Sequence, residues 1–313
     1  LLLYIVTTGI AVVLGLLFAS LFHVGRGLSL PKPVEFVMQP PPALTSILTN
    51  IFPQNPFKAL AQGNMLQVIV FALLLGIAIA ASGEKGKRVG KAFGALNEVL
   101  LKLVMMIMRL APYGVFFLLA ALFARVGFRV IGHLLGYFFV VLLVLAVQLI
   151  ATYSTILVVI GRLSPLPFYR KMYAAMLFAF SISSSNASIP VVLRTVEFRL
   201  GVKNSVASFV IPLGATINMD GTAIMQGVAT VFIAHAYNLN MGWGGYFIVI
   251  GMATLASIGT AGVPGVGLIT LAMVLQQVGL PVAGIALIIG VDRLLDMTRT
   301  AVNIAGDSMI ACI

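Results

Sequence analysis

Long apolar runs alternate with short basic clusters along this chain: Leu1–Phe22, Met65–Ala81, Val99–Ala124 (with Lys102 and Arg109) and Leu134–Gly161 are the runs of crossing length. A bilayer core asks for about 20 mostly apolar residues per helix, so these predict transmembrane helices. The short alternating segments of a β-barrel do not occur. Lys85, Lys87, Arg88 and Lys91 follow the second run and mark a cytoplasmic loop. By parity Arg162, Arg170 and Lys171 lie on the same side, and Arg194, Arg199 and Lys203 form a third inside cluster.

Between the last two clusters runs Met172–Leu193, interrupted by Ser183-Ser184-Ser185-Asn186-Ala187-Ser188-Ile189-Pro190. With both flanks on one side the segment cannot cross. It predicts a re-entrant hairpin over about 164–202, whose non-helical tip sits where protein or a wet cavity satisfies its backbone. The alternative is an ordinary helix whose serines bond their own carbonyls; charge parity and the proline favour the hairpin. A helix over about 205–237 then crosses outward, broken at Asn218-Met219-Asp220-Gly221-Thr222. A second short apolar pair, Tyr246–Ile258 and Val266–Val278, is split by Gly259-Thr260-Ala261-Gly262-Val263-Pro264-Gly265 and predicts an outer hairpin over about 246–279. Ser183-x-x-x-Ala187-x-x-Pro190 matches Ser257-x-x-x-Ala261-x-x-Pro264, and a helix with Asn and Asp follows each, the pattern of an inverted repeat with a site at its midplane.

The last run, about 282–313, carries Asp292, Asp296, Arg299, Thr300, Asn303 and Asp307 at steps of four, three, one, three and four, one stripe on a helix. Ionisable groups at membrane depth cost a few kcal/mol or more and face a partner or a cavity. The stripe therefore reads as a binding site. A salt bridge between Asp296 and Arg299 that merely helps packing is the plainer alternative, and it leaves the rest of the patch unexplained.

Composition agrees. Of 313 residues 61% are hydrophobic and 9% charged, with a mean hydropathy of +1.12, which excludes an ordinary soluble surface. The net charge of +11 sits in the clusters between apolar runs, a topology signal and not a nucleic-acid footprint. One cysteine, Cys312, excludes an intrachain disulfide. No basic n-region precedes Leu1–Phe22, so a cleavable signal peptide is not expected. His23, His133 and His235 read as interfacial or packing residues, and Gly259–Gly267 lacks the Gly-Lys-Ser/Thr ending of a phosphate loop. The proline-rich stretch between Phe22 and Asn64 predicts broken or amphipathic pieces outside the membrane.

The serine-rich tip Ser183–Pro190, the run Asn218–Thr222, the stretch Gly259–Gly267 and the stripe Asp292–Asp307, in this order, resemble the dicarboxylate/amino acid:cation symporter family, the glutamate transporter homologues. The resemblance covers essentially the whole chain, beginning at what that family counts as its third helix and ending inside its last. It implies an all-α polytopic fold with two re-entrant hairpins and broken helices. Helix 1–22 would adjoin a transport domain, 23–133 would supply scaffold and oligomerisation helices, and 134–313 the transport domain. It further implies a homotrimer in the cell (inner) membrane, sodium-coupled symport of aspartate or glutamate by alternating access, and no enzymatic activity. In this reading Asp296 meets the substrate ammonium, helped by Thr300 and by carbonyls of Ser183 and Val263. Arg299 and Thr222 meet the side-chain carboxylate, since a guanidinium can fork onto it. Asn303 and Ser185 hold the α-carboxylate, and Gly267 lines the site.

Sodium would sit at three places: Asp307 with carbonyls of Gly214, Asn218 and Asn303; Asp220 and Asn218 with Thr7, Thr8 and the carbonyl of Tyr4; and carbonyls of Thr216, Ser257, Ile258 and Thr260. Met219, Pro190 and Pro264 would serve gating and coupling. Three positions depart from the family pattern. Ser183 stands where some members carry arginine, with Arg293 as the candidate replacement. Asn186 interrupts the serine run, and Gln226 replaces a proton-accepting glutamate. Proton-coupled transport of a dicarboxylate or glutamate is the alternative, disfavoured for a dicarboxylate because Asp296 would face it without an ammonium. An intramembrane aspartyl protease wants Gly-x-Gly-Asp where this chain has Ile304-Ala305-Gly306-Asp307, and an anion channel rests on the basic residues alone.

Overall fold

The computed structural model describes residues 1–28, 30, 52–62, 65–110, 113–114, 116–117, 120, 124, 130–258, 260 and 262–313. Every regular element among them is helical. Two compact units form, Pro42–Ala121 and the combination of Leu1–Pro41 with Leu122–Ile313. The helices are α1 (Leu2–Leu21), α2 (Pro56–Gln62), α3 (Met65–Ala81), α4 (Gly83–Met108), α5 (Val130–Val159), α6 (Pro165–Ile182), α7 (Ser185–Thr195), α8 (Asn204–Ile217), α9 (Asp220–Ala236), α10 (Gly242–Ser257), α11 (Val266–Gln277) and α12 (Ile285–Cys312).

In the smaller unit α3 has the expected bounds, but the cytoplasmic loop expected at Lys85–Lys91 is the opening of α4. The whole connection is a turn at Ser82, with Gly83 at φ 57°. Glu84 in the first turn suits the helix dipole, and lysine, arginine and alanine are good helix formers, so the basic cluster continues as helix. Gly86 allows the tight return: a Cβ there would lie 1.8 Å from the carbonyl oxygen of Ile79. Much of the proline-rich stretch, and the end of the run Val99–Ala124, fall outside the described residues.

In the larger unit α9 is the central post, buried almost throughout. α1 crosses it through Tyr4, Thr7, Thr8, Ala11, Val12, Gly15, Leu16 and Ala19, a helical stripe, while Ile5, Val6, Ile10, Val13 and Leu17 stay exposed. An apolar helix with one buried and one exposed apolar face suits a lipid-facing position. Small residues set the approach: a Cβ on Gly15 would sit 2.9 Å from the Ile224 carbonyl, and one on Gly227 3.1 Å from that of Val12. Among the described residues α1 and α5 are long and apolar enough to cross a membrane; α10 and α11 are apolar but shorter.

α6 and α7 pack as a helix pair, as do α10 and α11. The first turn is two residues. Ser183 closes α6 in the left-handed region (φ 51°), and Ser184, extended, caps α7 by accepting the N–H of Ala187 at 3.2 Å. The expected interruption through Pro190 is therefore too long, because Pro190 lies inside α7. The serines stop one helix and cap the next; the proline, past the first turn, gives up only one backbone bond. The second connection is longer, and Gly265 starts α11 at φ 81°. α8 and α9 are one helix interrupted at Asn218 and Met219.

Candidate functional site

α12 brings its polar stripe into the middle of the larger unit. Arg299 is 1% exposed, and its Nη2 donates to Asp296 Oδ1 at 2.9 Å and lies 3.0 Å from Asp292 Oδ1. Spacings of three and seven residues put both carboxylates on the guanidinium's face. The N–H of Gly265, at the mouth of the second helix pair, donates to Asp296 Oδ2 at 3.1 Å. Nε and Nη1 of Arg299 have no partner. Both are buried, and Gly267 approaches them closely: a Cβ there would lie 3.3 Å from Nη1 and 3.1 Å from Thr222 Cγ2, so Thr222, Gly267 and the unpaired side of Arg299 converge. A buried guanidinium with unspent donors among carboxylates costs stability, and structure alone does not explain it.

The two turns meet beside this cluster. Ser184 Oγ and the N–H of Asn186 both donate to the carbonyl of Gly262, at 2.7 and 3.2 Å. A Cβ on Gly262 would be 2.9 Å from Asn186 Oδ1, so glycine is required for this contact. Ser183 Oγ is buried without a partner, Ser185 is buried, and Val263 and Pro264 are partly exposed at the second turn. Thr300 spends its proton on the Asp296 carbonyl at 2.8 Å.

Asn303 ties α12 to the break between α8 and α9. Its Oδ1 accepts the N–H of Gly221 at 2.8 Å, and its Nδ2 lies 3.4 Å from Met219 Sδ. Gly221 has to be glycine, since a Cβ would lie 2.8 Å from Arg299 Cα. Asn218 Nδ2 donates to Asp307 Oδ1 at 2.9 Å and to the Asn303 carbonyl at 3.2 Å, while Asn218 Oδ1 has no partner. Gly214 presses on the same carboxylate. Its Cβ would fall 2.4 Å from Asp307 Oδ1 and 2.6 Å from Tyr4 Oη. Gly214→Ala is expected to weaken sodium binding and to cost about 1–3 kcal/mol by overpacking, whereas Gly9→Ala, with open space around it, should be neutral; thermal unfolding with and without sodium checks both.

Asp220, fully buried, heads a second acidic cluster. Thr8 Oγ1 donates to its Oδ1 at 2.7 Å and Thr7 Oγ1 at 3.5 Å, with Thr7 also bonded to the Tyr4 carbonyl at 3.1 Å. Gln148 Nε2 and Tyr153 Oη supply Oδ2, at 2.9 and 2.8 Å. These two residues went unnoticed in the sequence. They bound a π-helical turn of α5, Gln148–Tyr153, a local widening often found at functional sites. A glutamine inside a crossing run was the available signal.

The third expected ion position comes together only in part. Ser257 Oγ lies 3.4 Å from the Ile217 carbonyl, so the ends of α8 and α10 meet, and Thr260 bonds the Ala256 carbonyl. Thr216 is exposed and turns its hydroxyl to the Leu213 carbonyl at 2.8 Å, and Ile258 is half-buried. Gln226 is buried and donates to Thr270 at 2.7 Å, bridging α9 and α11. Arg293, the candidate replacement for the family's arginine, is exposed.

An α-helical protein with paired helix–turn–helix tips and a buried acid–guanidinium cluster is thus defined, and comparison with known sequences gives it a family. The chain belongs to the sodium:dicarboxylate symporter family, whose sequence profile matches residues 1–313. It is 44% identical over 246 residues to human excitatory amino acid transporter 3, a match covering 78% of this chain and 47% of that protein. It is also 33% identical over 327 residues to the proton/sodium-glutamate symport protein of Geobacillus stearothermophilus, covering 98% and 75%, and 31% identical over 320 residues to that of Bacillus subtilis, covering 98% and 73%. The chain spans about half the length of the animal relatives it matches.

Proposed function

We propose that this protein is a secondary symporter that carries an acidic amino acid, aspartate or glutamate, across a cell membrane together with sodium ions. One observation carries the reading. Four buried carboxylates, Asp220, Asp292, Asp296 and Asp307, face one buried cation, Arg299, so the interior holds a formal charge of −3 among the described residues. Such an interior is stable only when cations or protons neutralise it. Asp220 and Asp307 have no cationic side chain within salt-bridge distance among the described residues, and hard carboxylate and carbonyl oxygens suit sodium. The free donors of Arg299 suit a carboxylate, and Asp296 beside it suits an ammonium. A zwitterion with an extra carboxylate answers both.

The helix pairs α6/α7 and α10/α11 are the two re-entrant hairpins of this reading. Helices of 16 and 12 residues reach about 24 and 18 Å, short of a core about 30 Å thick. Each hairpin is followed by a polar helix, which supports an inverted repeat. Alternating access then moves the hairpins with α8, α9 and α12 as a transport domain against a scaffold, in a trimer. The names of the relatives, excitatory amino acid transporter and proton/sodium-glutamate symport protein, fit the same substrate class.

Protons are the second reading, because a buried carboxylate can be neutralised by a proton as well as by sodium. Uptake of labelled L-aspartate into proteoliposomes separates the two. We expect saturable uptake driven by an inward sodium gradient at equal pH on both sides. Uptake driven by a pH gradient alone would favour the proton reading, and no gradient-driven uptake would refute both.

A further inference from the structure

One buried group on α5 bonds to neither acidic cluster. Tyr137 is 0% exposed, and its ring lies against Phe232 with centroids 5.2 Å apart. Its hydroxyl has no hydrogen-bond partner. α5 packs directly on α12, where Asp292 Oδ1 is likewise buried without a hydrogen-bond partner. A buried hydroxyl without a partner is uncommon and destabilising, so it asks for a state in which it is satisfied.

Asp292 supplies that state. In the present arrangement its Oδ1 is ion-paired, without a hydrogen bond, to Nη2 of Arg299, which Asp296 shares. On the symport reading above, on which this inference rests, the guanidinium turns its donors to the carboxylate of the substrate. Three carboxylates then share one cation, and Asp292, which unlike Asp296 has no backbone N–H to hold it among the described residues, is the one released. A carboxylate released inside an apolar interior needs a donor at once. Thr222, Gly267 and Gly265 line the other side of the guanidinium, toward α9 and α11, whereas Tyr137 stands on α5, which packs against the helix that carries Asp292. We infer that Tyr137 is a positioning residue for substrate: its hydroxyl takes over Asp292 when Arg299 engages the substrate carboxylate.

Tyr137→Phe keeps the ring on Phe232 and removes only the hydroxyl, so calorimetric titration with L-aspartate in NaCl tests the exchange. A lost hydrogen bond to a charged group corresponds to affinity weakened about 10- to 100-fold. Thermal stabilisation by sodium without substrate should be unchanged, because α5's Tyr137 touches neither Asp220 nor Asp307. In an Asp292→Asn background no charge is released, and Tyr137→Phe should then cost less than about twofold. Unchanged aspartate affinity in Tyr137→Phe overturns the inference, and so does an equal loss in both backgrounds. Loss of sodium stabilisation in parallel with aspartate affinity also overturns it, by pointing to a packing role. Should Asp292→Asn not bind, the comparison of aspartate affinity with sodium stabilisation in Tyr137→Phe still decides. If the unaltered protein binds no aspartate in NaCl, the symport reading itself has failed and takes this inference with it.

Discussion

Arg299→Cys is expected to remove acidic amino acid transport almost completely. The side chain is the only buried cation among the described residues and the only one placed to meet a carboxylate within the site. Truncating one partner of a desolvated charge pair costs about 2–5 kcal/mol, so the affinity for aspartate should fall about 30- to several-thousand-fold. Asp296 survives the change, and the ammonium of a substrate keeps its counter-charge. A small neutral amino acid should therefore still bind, and binding of alanine or serine by Arg299→Cys is the checkable counterpart. Aspartate uptake at the level of the unaltered protein would show that the carboxylate is met elsewhere. Because Asp292 and Asp296 both lose their cation, the variant should also be less stable in the absence of sodium, read as a lower Tm.

Asp307→Asn should separate sodium binding from stability. Among the described residues Asp307 accepts one side-chain hydrogen bond, from Asn218, and has no cation beside it. Its charge is the least compensated in the interior. Replacing it by the neutral amide removes that burden, so without sodium the variant should be as stable as the parent or more so. On the proposed reading it also removes a sodium ligand. The stabilisation that sodium gives the folded state grows with concentration over Kd, and a shift of about 100-fold in Kd corresponds to about 2.7 kcal/mol of it. Thermal unfolding in a series of NaCl concentrations reads both effects. Asp220→Asn should differ, because Thr8, Thr7, Gln148 and Tyr153 all turn donors toward that carboxylate. An amide there sets its own donors against theirs, and the fold should lose stability with or without sodium.

Much of this architecture was legible in the amino-acid order because membrane segments announce themselves by what they lack. Met65–Ala81 has the bounds of its apolar run, and the break at Asn218-Met219 falls where polar residues interrupt the run. The acid–guanidinium cluster was legible for a related reason: Asp292, Asp296 and Arg299 repeat at helical spacing in a stretch with no other use for charge. What composition hides is local. Pro190 looked like part of a break, yet one helical turn past a serine cap it is tolerated. The basic cluster at Lys85–Lys91 looked like a loop, because charge marks the water side of a membrane equally well in a helix. Gln148 and Tyr153 reach Asp220 only because α5 widens into a π turn, a backbone feature that hydrophobic periodicity does not register. Tyr137 is a further instance: nothing along α5 distinguishes it from an interfacial tyrosine until the fold buries its hydroxyl without a partner.

On the proposed reading, the excess negative charge of the interior must be met by sodium before, or together with, an acidic zwitterion. Calorimetric titration of the purified protein with L-aspartate in NaCl, repeated in choline chloride at equal ionic strength, measures that dependence directly. Saturable heat in NaCl that vanishes in choline chloride is the predicted result. The same heat in both salts, or none in either, would contradict it.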